Sequence, residues 1–236
     1  VAAFQHYTRI VARQIESVLE ALYSTPAGKN TIVIVLADHG DGMGSHRMVT
    51  KQVSFYEEMT NVPFIIAGPG IHPRQKPVED LLTQPTIDLL PTLCELAGIP
   101  VPSSKPGISL APFLKGEKQK RQHPYAASEW HSEYEVTVSP GRMIRSPRYK
   151  YTHYLEGNGE ELYDMLKDKG ERRNLAHDPK YSKILAEHRA LLDDYIRRTQ
   201  DDYRSLKVEA DKRWRSHAPG YPNHEGPCAR DIINRK

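Results

Sequence analysis

Asp38-His39-Gly-Asp-Gly-Met-Gly-Ser-His46 sets an aspartate beside a histidine, follows them with glycines at 40, 42 and 44, and closes on a second imidazole. A carboxylate and an imidazole carried on a glycine-rich turn can hold oxygen and nitrogen donors around an ion. Lys51 comes next, then Phe55-Tyr-Glu-Glu58. Such a loop needs a rigid mount. The apolar run Thr31-Ile-Val-Ile-Val-Leu36 immediately before it has no polar alternation, which predicts a strand buried on both faces in a parallel sheet, with helices above and below. Ligands of such sheets collect where the strands end.

Several ordered blocks extend the pattern. Asp38-His39-Gly, Gly44-x-His46, Lys51, Phe55-Tyr56-Glu57 and Val62-Pro-Phe-Ile-Ile-x-Gly68-Pro-Gly70 follow one another. Together they resemble a signature region of the calcium-dependent, formylglycine-using sulfatases of the alkaline-phosphatase-like superfamily. The resemblance continues through Gln84-Pro-Thr-Ile-Asp88-Leu-Leu-Pro91 to Ala97-Gly98. Arg148-Tyr-Lys-Tyr151, Glu161-Leu-Tyr-Asp164 and Glu171-x-x-Asn174-Leu-Ala176 are similar to the small carboxy-terminal subdomain of the same enzymes.

That resemblance implies roles. Asp38 and His39 would be two ligands of Ca2+, and Lys51 would touch the sulfate, offsetting charge as the S–O bond breaks. His46 would contact the substrate or protonate the leaving group. Trp130, His131 and Arg145, with His153 nearby in sequence, would lie on the subdomain that closes one side of the cleft, where an aromatic beside basic groups suits a sulfated carbohydrate. Residue type alone leaves other readings open. His39 also suits a hydrogen-bonding group behind a ligand, His46 an exposed loop, Lys51 and Arg145 solvated charges, and Trp130 a core position. Two departures from the family pattern are local: Arg47 stands at a usual glycine, and Val49 where an aromatic often precedes the lysine.

Composition agrees with a folded soluble enzyme without identifying one. A net charge of +3 makes no demand for nucleic acid, and no apolar stretch is long enough to span a membrane. Val1-Ala-Ala-Phe-Gln-His6 reads as a cut edge rather than a signal peptide. Cys94 and Cys228 frame no disulfide scaffold. A periplasmic, secreted or lysosomal address follows from the resemblance only.

Apolar spacing through Phe4, Tyr7, Val11, Ile15, Val18 and Leu22 predicts an amphipathic helix ending near Pro26. Val62–Ile66 predicts a neighbouring strand, and Thr86–Ala97 a helix that Pro91 interrupts. Further on, Arg142–Arg145 and Arg148–Tyr154 predict an antiparallel hairpin, and Lys180–Arg198 a helix covering it, with His188 breaking its apolar stripe. The expected architecture is α/β, part of an alkaline-phosphatase-like sandwich with a mainly parallel central sheet over 1–115. A small α+β subdomain over 116–203 and an extended tail over 204–236 would follow.

The family nucleophile is a formylglycine made within a Cys/Ser-x-Pro-x-Arg motif, which the 236 residues do not contain. The remaining metal ligands and the nucleophile would therefore belong to an amino-terminal half preceding this chain, which alone would be inactive. A phosphoric or phosphonic ester hydrolase of the same superfamily is the alternative activity. A noncatalytic module binding sulfated glycans is the alternative without turnover.

Overall fold

The structure is a computed structural model that describes residues 2–48, 54–78, 81–103, 106–118, 122–130, 140–155 and 159–205. The chain divides into two compact units, one of 1–52 with 58–126 and the other of 53–57 with 127–236.

In the first unit, helix α1 (Ala2–Tyr23) runs into a short 3-10 turn over 26–30 that leads to strand β1 (Val33–Leu36). A four-residue helix α2 (Glu57–Thr60), the first residue of which belongs to the other unit, precedes strand β2 (Phe64–Ala67). Helix α3 (Pro85–Leu96) and the single turn α4 (Ala111–Leu114) complete it. Asp88 and Thr92 on α3, both fully buried, organise the loop beyond the helix. Asp88 accepts from the Gln84 and Ile108 backbone N–H groups at 2.8 Å and bonds His123 Nε2 at 2.7 Å. Pro91 leaves the Ile87 carbonyl without its usual helical donor. Gly107 packs so close to that oxygen that a Cβ would lie 2.1 Å from it.

The expected mainly parallel central sheet is corrected here. β1 and β2 pair antiparallel, Val33 opposite Ala67 and Leu36 opposite Phe64, and no parallel pair occurs among the described residues. An apolar run reports that a strand wants cover on both faces; it carries no information about the direction of its neighbour. That cover is lacking among the described residues: Leu36 and Ile65 remain exposed. Likewise α1 forms over the predicted span, but none of its residues is buried, and Tyr7 and Val18 are about two-thirds exposed, at 66% and 67%.

The second unit is a four-stranded sheet in the order β3 (Ala126–Trp130), β4 (Gly141–Arg145), β5 (Tyr149–Tyr154), β6 (Glu160–Asp164). The predicted hairpin is β4–β5, antiparallel with Gly141 opposite Tyr154, and β5–β6 is antiparallel as well. Helix α5 (Ser182–Thr199) packs on β4 and β5 and buries Leu185, His188 and Leu192. His188 is no defect in the stripe. Its Nδ1–H donates to the Ile184 carbonyl at 2.8 Å, leaving Nε2 to bond Ser146 Oγ at 2.9 Å. Burial pulls the imidazole below its ordinary pKa, against the opposing influence of the Ile184 bond. The tail beyond Ser205 lies outside the described residues.

Candidate functional site

The loop leaving β1 is held from below by α2. Gly40 N–H donates to the Met59 carbonyl at 2.9 Å, and a Cβ on Gly40 would fall 1.8 Å from the Glu58 carbonyl oxygen. Only glycine fits that approach. Gly44 N–H bonds the Met48 carbonyl at 2.6 Å, closing the turn over the buried Met48 side chain. Within this turn Met43, His46 and Arg47 all have left-handed backbone, with φ of 47°, 50° and 62°. Strain of this kind costs about 1–3 kcal/mol per residue and collects at working sites. Arg47, at the position where the family pattern has glycine, adopts a conformation that glycine would take freely.

Asp38 and His39 are presented outward. The Asp38 side chain is 87% exposed and that of His39 41%. Asp38 Oδ1 accepts the His39 backbone N–H at 2.9 Å, and His39 Nδ1–H donates to the Gly40 carbonyl at 2.8 Å. His39 Nε2 lies 3.5 Å from Asp38 Oδ2, and in the neutral ring the Nδ1–H bond would leave the Nε2 lone pair for a ligand. An oxygen and a neutral nitrogen, oriented by a backbone bond behind the ring, are what two positions of a metal shell require. They are a partial set. No group of three or more His, Cys, Asp or Glu side chains able to hold a metal exists among the described residues, whereas Ca2+ takes about 6–8 oxygen ligands. The donors fit an ion whose remaining ligands come from elsewhere.

His46 turns the other way. Its Nε2 stands 3.8 Å from Glu58 Oε2, with the ring largely covered. Glu58 was not singled out from the sequence, where it looks like one of two acids opening a short helix; the Gly40 contact with its backbone is what makes it part of the loop's support. Lys51 lies outside the described residues, as does His131.

The other two candidates belong to the second unit. Trp130 ends β3; its carbonyl accepts from Arg142 Nη1 at 2.8 Å, and its buried indole N–H has no partner among the described residues. Arg145 ends β4, where its Nε lies 3.8 Å from Glu57 Oε1 and its Nη1–H donates to the Ser146 carbonyl. Burial lowers the Arg145 pKa, with Glu57 and Glu171 opposing. Its guanidinium is thus already engaged by protein groups. His153 bonds the Tyr203 hydroxyl through Nδ1 and serves the packing of the unit.

Residues 44–198 match the family described as N-sulphoglucosamine sulphohydrolase, C-terminal. The chain belongs to the sulfatase family, in its carboxy-terminal region. Over all 236 residues it is 75% identical to a delta 4,5-hexuronate-2-O-sulfatase of Bacteroides thetaiotaomicron, and it spans 49% of that relative's length. Among solved structures, a 2-O GAG sulfatase superposes with a TM-score of 0.88 at 76% identity, covering 98% of this chain and 50% of that one. A phosphonate monoester hydrolase of Agrobacterium radiobacter superposes with a TM-score of 0.65 at 26% identity, covering 77% of this chain and 38% of that one. The carboxy-terminal sulfatase assignment thus agrees with the resemblance carried by the Asp38–Gly70 blocks.

Proposed function

We propose that this chain is the carboxy-terminal half of a sulfatase that removes a 2-O-sulfate from an unsaturated hexuronate of glycosaminoglycan origin. The observation that carries the reading is the 75% identity, sustained over the whole chain, to an enzyme of that name. The uncovered apolar face of α1 and the open faces of Leu36 and Ile65 support it, because they are the surfaces that a preceding half would bury.

In this reading Asp38 and His39 would hold Ca2+ together with carboxylates of a preceding half, which would also carry the formylglycine nucleophile. Bound there, the ion would supply positive charge around the sulfate oxygens. Lys51 pairs with the sulfate and the bridging oxygen, countering the charge that builds as the S–O bond lengthens. His46, whose Nε2 lies near the Glu58 carboxylate, would supply the proton that the leaving oxygen takes up. Trp130, His131 and Arg145 contribute to the wall that receives the sugar. The chain alone, lacking the nucleophile, turns nothing over.

The test is to produce this chain with its preceding half and measure sulfate release from a 2-O-sulfated unsaturated disaccharide, beside a 6-O-sulfated glucosamine and a phosphonate monoester. Release from the first, abolished by calcium chelation and by Asp38→Asn or Lys51→Ala, is the expected result. Preference for the 6-O-sulfated sugar overturns the substrate assignment. Preference for the phosphonate overturns the sulfatase activity itself in favour of the reaction named for the Agrobacterium protein.

A further inference from the structure

The connection between β6 and α5 treats its acids and its cations differently. Residues 167–180 carry five Lys and Arg against three Asp and Glu. The acids are spent on the protein itself. Glu171 is buried and pairs with Lys150 Nζ at 2.9 Å, while Asp168 Oδ2 accepts the Arg172 and Arg173 backbone N–H groups, both at 2.9 Å. Asp178 Oδ1 accepts the Lys180 N–H at 3.1 Å. The cations meet water. Lys167, Lys169, Arg172, Arg173 and Lys180 are all exposed, and among the described residues no carboxylate pairs with Lys167, Arg172 or Lys180. Backbone bonds hold the segment in shape: the Lys167 and Asp168 N–H groups donate to the Asp164 carbonyl at 3.0 and 2.7 Å, and that of Glu171 to the Asp168 carbonyl at 3.1 Å. Arg173 Nη2 reaches Asp178 Oδ2 at 3.1 Å, which ties the turn to the 3-10 turn Pro179–Tyr181 leading into α5.

We infer that this turn is a docking surface for a sulfated polysaccharide, a chain longer than the terminal sugar and bearing sulfate and carboxylate groups at regular spacing. The choice of polymer rests on the substrate class given under the proposed function. One exposed charge pair contributes little, because water screens it and a long side chain loses freedom. Several cations meeting one repeating polyanion act together, since each contact after the first forms at high effective concentration. The backbone beneath them is already held, so binding has only side chains to order. Lysine offers a point charge to a sulfate oxygen, and the fork of Arg172 can donate twice to one sulfate. Other anionic partners fit less well. Residues 166–180 contain no Phe, Tyr or Trp on which a base could stack. Their one exposed large apolar side chain, Leu166, is too little for a lipid surface, which takes apolar insertion as well as charge.

The experiment uses the complete enzyme, this chain with its preceding half, and a long heparin fragment as the probe, with binding measured by calorimetry at low and at physiological salt. Parent binding should weaken about tenfold or more between the two, because surface contacts are screened. The triple variant Lys167→Gln/Arg172→Gln/Lys180→Gln keeps the side-chain stems and every backbone bond of the turn. It should bind about 10- to 100-fold more weakly at low salt, with an unchanged melting temperature. The control Lys76→Gln/Lys115→Gln/Lys118→Gln removes the same charge from exposed positions of the first unit and should bind within about twofold of the parent. Equal loss in the two variants reduces the effect to net charge and overturns the inference, as does a parent that holds no heparin. Phosphatidylserine vesicles held more tightly than heparin, with loss on Leu166→Ser, overturn it in favour of a membrane surface. Sulfate release from the 2-O-sulfated unsaturated disaccharide, followed on the same preparations, keeps the two readings apart. A parent that binds heparin through the turn but releases no sulfate brings down the proposed function alone. A parent that releases sulfate while the triple variant binds as tightly as the control brings down only the docking surface.

Discussion

In the loop after β1, the Asp38 side chain is 87% exposed and three non-glycine residues hold left-handed backbone, whereas in the four-stranded sheet Lys150 is 1% exposed and bonded on every side. One region presents its acid and imidazole to solvent on strained backbone; the other buries its charges against partners. Side chains at the surface can reach an ion or a substrate, and those bonded inside serve to locate backbone. The difference separates side chains presented to solvent from side chains that hold backbone in place.

Breaking the closed region should have the largest effect. Lys150→Met on its own leaves Glu57 and Glu171 facing each other without their shared cation, and it should cost about 3–5 kcal/mol. Chemical denaturation of the complete protein checks this. Lys150→Met combined with Glu171→Leu leaves Glu57 facing Arg145, 3.8 Å away, and should recover part of that loss. A single variant as stable as the parent would mean that water already reaches the cluster.

The next effect belongs to the loop. Gly40→Ala brings a methyl within 1.8 Å of the Glu58 carbonyl and must push the loop off α2, breaking the Gly40–Met59 bond. A cost of about 2–3 kcal/mol follows from overpacking against backbone. Activity should fall further than stability, because Asp38 and His39 move with the glycine. Melting temperature and sulfate release, measured on one preparation, separate the two losses.

A smaller test uses pH. His188 is buried and its folded pKa is depressed, so its contribution to stability is complete above the unfolded value of about 6.5 and is lost as pH falls through the folded value. Asp164 and Glu160 are depressed as well, chiefly by bonds from Arg148 and Arg189, and their contributions vanish only as pH falls below the ordinary carboxylate range. Acid denaturation should therefore show two descents. His188→Gln should erase the upper one and leave the lower in place, which thermal melts at intervals from pH 8 to pH 3 would reveal.

How much of this was legible in the sequence differs between the same two regions. Asp38 and His39 announced themselves because an apolar strand run stops abruptly at charged residues and glycines, a pattern set by local geometry. Helices α1, α3 and α5 and the β4–β5 hairpin were legible for the same reason, as their periodicity is local. The antiparallel pairing of β1 and β2 was not, since burial leaves strand direction open. Neither was the cluster of Lys150 with Glu57 and Glu171. Lys150 between two tyrosines in Arg148-Tyr-Lys-Tyr151 looks like the solvent-facing member of an alternating strand, and only the return of Glu171 from beyond β6 makes it a core residue.

The smallest prediction concerns Arg47, and it sharpens the comparison from the strained side. Arg47 is exposed and has a φ of 62°. Left-handed backbone costs a residue with a Cβ about 1–2 kcal/mol, and glycine avoids that cost but gives back about 0.5–1 kcal/mol through the freedom of its unfolded chain. Arg47→Gly should therefore stabilise by about 0.5–1 kcal/mol, a rise of roughly 1–3 °C in melting temperature for a domain of this size. Turnover should not change, because the loop keeps the conformation it already has. A lower melting temperature would show that the arginine side chain holds the loop by contacts that outweigh its backbone strain. Unchanged stability with altered KM would instead make Arg47 a substrate contact, moving it from the scaffold of the loop to its working face.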